Sequence, residues 1–189
     1  VTGTPVDCAK VAIKNLLNKK PDLVLSGINL GANLGNNLIY SGTVSAAYEG
    51  TILDIPSAAI SLDSFEGKNF EVAKYAATTI ANYLLKHKLP KGTLLNVNVP
   101  NIGKKDLKGF LITKQGSQSF EDIYEKRIDP RGNSYFWIKG EMINGDSCVE
   151  YDGKAVACGY ISITPIQFAL TDKQYLNQLK KENITWMIL

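Results

Sequence analysis

PDLVLSGINLGANLGNNLIYSGTVSAAYEGTILDIPSAAISL, residues 21–62, is the stretch whose reading decides the fold. It opens with a short apolar run, Asp22 to Ile28, whose lack of alternation is the pattern of a strand buried on both faces. A second such run, Ser57 to Leu62, follows Ile55-Pro56. Between them Val44, Ala47, Tyr48 and Thr51 recur at the spacing of one helix face, with Gly50 a mild weakness inside the run. Strand, loop, helix and strand in that order form a βαβ unit, which requires a parallel pair and a right-handed crossover. The fold class is therefore α/β with a parallel core sheet.

The flanks extend this reading. Thr4-Pro5-Val6-Asp7 has an N-cap, a proline at the first helical position and an acid in the first turn, and Cys8, Val11, Ala12 and Leu16 continue at helical spacing. The spacing predicts an amphipathic helix over 5–18, ended before Pro21. Because the chain opens on Val1 and runs at once into this helix, a preceding segment is expected. Downstream, a helix is predicted over 69–87, a strand over Thr93 to Val99 stopped by Pro100, and a short strand over Gly109 to Thr113. From about residue 115 polar and aromatic residues mix. Asp129-Pro130-Arg131-Gly132-Asn133 signals a turn, and Ser134 to Lys139 alternates like an exposed hairpin strand. Tyr160 to Thr164 reads as a strand again, and Asp172 to Lys181 as a final helix. Three parts are expected: a core over 1–114, a hairpin extension over 115–154, and a return strand with a C-terminal oligomerisation segment over 155–189.

Composition narrows the class. The 189 residues are 44% hydrophobic and 21% charged, which suits one domain with an appendage. A net charge of +3, spread over short pairs such as Lys19-Lys20 and Lys180-Lys181, argues against a stable nucleic-acid complex. Cys8, Cys148 and Cys158 have an odd count and no metal-type spacing, so reduced thiols and a cytoplasmic location are expected. No long apolar span suggests a membrane.

The chemistry concentrates in SGINLGANLGNNLIYSGT, residues 26–43, which holds four glycines, four asparagines and no charge. It leaves the carboxyl end of a parallel strand and enters a helix at Ser41-Gly42-Thr43, the position where open α/β sheets bind ligands. A helix N-terminus offers unpaired N–H groups and partial positive charge, which suits phosphate. Ser41 and Thr43 add hydroxyl donors, and Gly42 lets the backbone approach closely. Asn29 and Asn33 offer amides to phosphate or carbonyl oxygens to a hard cation. Capping alone explains one hydroxyl but not the crowd of amides. Neither G-x-x-x-x-G-K-[ST] nor G-x-G-x-x-G is present.

Other groups point less sharply. His87, the single histidine, lies between Lys86 and Lys88 at a helix end, where a solvated or capping role is expected, so no base is in evidence for a Ser41 nucleophile. Glu49 is expected on the solvent side of its helix and Asp63 at the end of a strand. Tyr124, Tyr135, Phe136 and Trp137 suit packing across the hairpin or between subunits more than base stacking. Arg131 is expected to pair with an acid in its turn.

GTPVDCAKVAI (3–13), PDLVLSGINLGANLGNNLIYSGTVSAAYEG (21–50), IPSAAISL (55–62), LNVNVP (95–100), DPRGNSYFWI (129–138) and GYISITPIQFALT (159–171) resemble, in order and spacing, consecutive blocks of the survival protein E (SurE) family of metal-dependent nucleotidases. The resemblance implies a Rossmann-like three-layer sandwich, a protruding hairpin and a C-terminal segment exchanged within a homodimer or homotetramer. It implies hydrolysis of nucleoside 5′-monophosphates, with 3′-monophosphates and short polyphosphate as further substrates, using magnesium or manganese. Asn33, Ser41 and Thr43 carry over as catalytic, with Gly42 completing the phosphate-binding set, and Asn29 as a metal ligand. The family's Asn-Asp-Asp-Gly motif, whose aspartates hold the metal, is not within these residues. A protein made strictly of residues 1–189 is therefore expected to turn over barely above background. The alternative is a catalytically empty phosphate-binding or oligomerisation module.

Overall fold

Thr4 starts the first helix. Its hydroxyl accepts the Asp7 N–H at 3.3 Å while the Asp7 carboxylate accepts the Thr4 N–H at 3.0 Å, a reciprocal cap that fixes α1 at Pro5–Val11. A wider π-type turn, Ala12–Leu16, continues it and stops short of Pro21. The computed structural model describes residues 2–66, 70–143 and 145–182. It continues with β1 (Val24–Leu30), a 3₁₀ segment (Gly35–Tyr40), α2 (Gly42–Ile52), β2 (Ser57–Asp63), α3 (Phe70–Lys86) and β3 (Thr93–Pro100). Then come β4 (Phe110–Ile112), β5 (Ser119–Ile128), β6 (Ser134–Ile143), α4 (Asp152–Ala157), β7 (Ile161–Gln167) and α5 (Lys173–Glu182). The start of the helix expected from residue 69 and the last residues of the expected C-terminal segment, 183–189, lie outside the described residues.

The main sheet runs β1-β2-β3-β7-β4. β1, β2 and β3 are parallel, which is the expected βαβ arrangement, whereas β7 returns antiparallel to β3 and pairs in parallel with β4. Alternate strand residues face two helical layers. Ile60, Leu62, Val97 and Val99 pack on Val72, Ala76 and Ile80 of α3. On the other face Ala59, Leu94 and Ile166 pack on Val44 and Ala47 of α2. Each fully buried aliphatic side chain of this kind contributes roughly 1.5–3 kcal/mol.

Three expectations are corrected. The strand 22–28 is not buried on both faces: among the described residues β1 pairs with β2 alone, and Leu25 is 36% and Leu30 43% exposed. Gly50 is no weakness, since a β-carbon there would press on the Ser57 hydroxyl and come within 2.8 Å of Val24 Cγ2, so its absence lets α2 lie close on the sheet. Glu49 does not face solvent. It is buried against α1 and paired with Lys10 at 3.8 Å.

β5 and β6 form a separate two-stranded hairpin paired from Ser119↔Ile143 to Ile128↔Ser134. Asp129 closes its turn by accepting the Arg131 and Asn133 N–H groups at 2.8 Å each. The short helix α4, which the sequence reading missed, carries the chain back to β7. No residue of α5 is buried.

Candidate active site

The α2-facing side of the sheet changes character toward the carboxyl ends of the parallel strands. Leu94 and Ile166, apolar, are neighbours in register; then come Ala59, Asn96 and Thr164; then Asn29, Ser61, Asn98 and Ser162. Ser61, Asn96, Asn98 and Ser162 are fully buried. A polar floor is needed here because irregular backbone lies on it, and buried backbone groups require partners. The backbone N–H of Asn33 donates to Asn98 Oδ1 at 2.8 Å, and its carbonyl accepts from Asn96 Nδ2 at 2.8 Å and Asn98 Nδ2 at 3.1 Å. The Asn33 side chain donates to Ser61 Oγ at 2.7 Å. Asn33 is thus first a structural keystone of the loop. Asn96 Oδ1 is buried without a hydrogen-bond partner among the described residues. The signal for this floor stood in LNVNVP, where asparagines at positions i and i+2 of a strand point to one face.

A carboxylate secures the far side of the loop. Asp152, fully buried, accepts the N–H groups of Gly35 (3.0 Å), Gly116 (2.9 Å) and Gly153 (2.8 Å). Three chain segments meet on it: the loop, the base of the hairpin and α4. Gln115 Nε2 adds a 3.0 Å bond to the Gly35 carbonyl, and Asn36 N–H donates to the Gln118 carbonyl at 2.8 Å. Gly35 has φ +52 and lies so close to the Gln118 backbone that a side chain there would collide with it. Burial pushes the Asp152 pKa up, against the lowering effect of its three backbone donors.

The loop delivers the chain to α2. Ser41, 8% exposed, caps that helix by accepting the Val44 N–H at 3.1 Å, so part of its hydroxyl's capacity serves structure. The Gly42 and Thr43 N–H groups and the Thr43 hydroxyl make no hydrogen bond among the described residues. Asn29, at the end of β1, donates Nδ2 to the carbonyls of Leu30 (3.1 Å) and Gly31 (2.8 Å). That leaves Oδ1 without a protein donor among the described residues, a hard oxygen suited to a divalent cation. Among the described residues no cluster of three or more His, Cys, Asp or Glu side chains accompanies it.

The remaining sequence candidates separate. Asp63, at the carboxyl end of β2, has its pKa pushed up by desolvation. His87 bonds the Tyr83 carbonyl through Nδ1 at 3.0 Å and stacks on the Tyr83 ring, as a helix-end residue should. Trp137 is covered by the Arg127 guanidinium at 5.0 Å, and Arg127 with Lys139 pairs with Glu125. That bonding holds the Glu125 pKa down to about 2, the Arg127 hydrogen bond weighing most. Arg131, expected to pair with an acid in its turn, meets Asp129 through its backbone N–H, and its guanidinium makes no ion pair among the described residues. An apolar cavity of about 710 Å³ lies between α3 and the opposite ends of β3 and β7, beside Thr93 and Gln167, away from this loop.

Comparison with known proteins converges on one family. Residues 1–122 match the family model described as Survival protein SurE. A 5′-nucleotidase SurE of Symbiobacterium thermophilum is 46% identical over 186 residues, covering 98% of this chain and 73% of that one. Its counterpart in Carboxydothermus hydrogenoformans is 47% identical over 190 residues, covering 99% and 70%. The crystal structure of the SurE protein from Aquifex aeolicus superposes with a TM-score of 0.80 at 41% identity, covering 96% of this chain and 74% of that one.

Proposed function

The chain belongs to the survival protein SurE family, and on that premise we propose that it is a 5′-nucleotidase, hydrolysing nucleoside 5′-monophosphates to nucleoside and inorganic phosphate. The observation that carries the reading is the N-terminus of α2, where the Gly42 and Thr43 N–H groups and the Thr43 hydroxyl make no hydrogen bond among the described residues, beside a loop fixed from below. These groups bind the phosphoryl oxygens and stabilise the charge that gathers on them as a water attacks in line. The proton of the Ser41 hydroxyl is available to the same anion, because Val44 uses only its lone pair. Asn33 acts by holding the loop's shape, and its exposed fraction borders the phosphate.

Asn29 Oδ1 is one ligand for a divalent cation, magnesium or manganese, whose chemistry when bound is charge neutralisation and activation of water. The same groups accept 3′-monophosphates and short polyphosphate, which share the terminal phosphoryl group. The relatives' shared enzyme name weighs against a catalytically empty module. Phosphate release from AMP, measured on a form that carries the family's Asn-Asp-Asp-Gly segment, tests the reading. Thr43→Ala is expected to slow turnover on the order of 100-fold, and Asn29→Ala to raise the cation concentration needed for half-maximal rate; wild-type rates in both variants would remove these roles.

The assembly is a homodimer or homotetramer. Its support is the hairpin's exposed Tyr124, Ile128, Phe136 and Ile138 together with α5, which buries nothing on its own chain. Light scattering at micromolar concentration is expected to give at least twice the chain mass, and a monomer overturns it. Among the described residues no helix is long and apolar enough to cross a membrane, and the three cysteines form no disulfide, in keeping with a cytoplasmic enzyme.

A further inference from the structure

A second cleft, about 430 Å³, opens between the loop, the end of β2 and the base of the hairpin, a volume in the range of small-ligand sites. Its walls differ from those of the phosphate site. Phe65 stands 87% exposed, its ring seated over Gly31, where any added β-carbon would lie 2.7 Å from Cε1. Phe120 and Met142, cross-strand neighbours, form the opposing wall, and Met142 Sδ is met by Asn37 Nδ2 at 3.7 Å. Leu34 supplies a buried apolar floor. Among these groups sits Gln118, only 8% exposed and held by its own backbone bond to Asn36. Its carboxamide makes no hydrogen bond among the described residues, and its polar atoms reach the open cleft, where they are available to a ligand.

We propose that this cleft is a nucleobase slot, in which Phe65 and Phe120 flank the base and the Gln118 carboxamide pairs with its edge. A carboxamide presents a donor and an acceptor side by side, the complement of adenine N7 and N6. Aromatic faces stack on any base, so the rings supply affinity and Gln118 supplies the choice. The hairpin's other aromatic face is unsuited, because Arg127 already covers Trp137. The slot and the phosphate site share one loop: Ala32, Leu34 and Asn37 line the cleft, and the chain runs on through the 3₁₀ segment to Ser41–Thr43. The inference takes its ligand class from the nucleotidase reading.

Adenosine, which has no phosphate, isolates the slot. Saturation-transfer NMR on the full chain is expected to give strong signals at adenine H2 and H8, and titration to give affinity weakened about 10-fold or more in Phe65→Ala and Gln118→Ala, with Thr43→Ala unchanged. Phe65 is exposed, so its variant keeps the fold, which circular dichroism checks. Absent saturation transfer at millimolar adenosine overturns the slot, and so does unaltered affinity in Phe65→Ala. Phosphate release from AMP in the same preparation reports on the activity separately: turnover with either of those results leaves the nucleotidase standing and removes the slot.

Discussion

The loop 31–41 and the hairpin 119–143 are both polar, irregular in sequence and joined at the edge of the same cleft, yet they are held in opposite ways. The loop rests on buried side chains: Asn96, Asn98 and Ser61 below, Asp152 beside it. The hairpin is held by its own ladder and by exposed charges, with Glu125 gathering Arg127 and Lys139. Hydrogen bonds made in the dry interior fix geometry, because breaking one strands a buried partner, whereas exposed ion pairs exchange readily with water. The contrast suits the tasks proposed for them. Donors that meet a developing charge have to be fixed in advance, whereas a surface proposed for a second chain can adapt.

The largest effect that would break this comparison is expected at the clasp. Asp152→Ala leaves three N–H groups without this acceptor, those of Gly35 and Gly153 buried and that of Gly116 half-buried, and a loss of about 3 kcal/mol or more is expected in urea unfolding. Glu125→Ala, at a partly exposed ion pair on the hairpin, is expected to move the unfolding midpoint far less. A midpoint shifted by Glu125→Ala as far as by Asp152→Ala would erase the distinction between the two regions.

Acid titration sharpens it with a smaller effect. Asp152 has a raised folded-state pKa, so its contribution is full below its ordinary 3.8 and fades as pH rises through the raised value. Glu125 is shifted the other way, from 4.5 to about 2, so its contribution is present above 4.5 and fades as pH falls toward about 2. On acidification the Gly35 and Gly116 amide signals are expected to move first, as Asp152 takes up its proton through its raised pKa, and the hairpin's later, as pH falls toward about 2, with a smaller displacement in high salt. Hairpin signals that move ahead of those of Gly35 and Gly116 would contradict the assignment.

The βαβ unit was legible in residues 21–62 because apolar periodicity and a capped helix start are local signals. So was the helix start at Ser41-Gly42-Thr43, which declares itself by position alone. What the sequence concealed was tertiary. That Asn33 serves the floor depends on Ser61, 28 residues on, and on Asn96 and Asn98, more than 60 residues on. Asp152 could not be read as the loop's clasp, because its partner Gly35 lies 117 residues away. β1 read as doubly buried because apolar composition does not reveal what covers each face of a strand.

Titration with inorganic phosphate, followed in ¹H–¹⁵N spectra, tests the central claim most directly, because it asks where the anion lands. The account predicts saturable shifts concentrated at the Gly42 and Thr43 amides, lost in Thr43→Ala, with the Trp137 indole unmoved. Shifts absent from Gly42 and Thr43 at saturating phosphate, or centred on the hairpin, would contradict it.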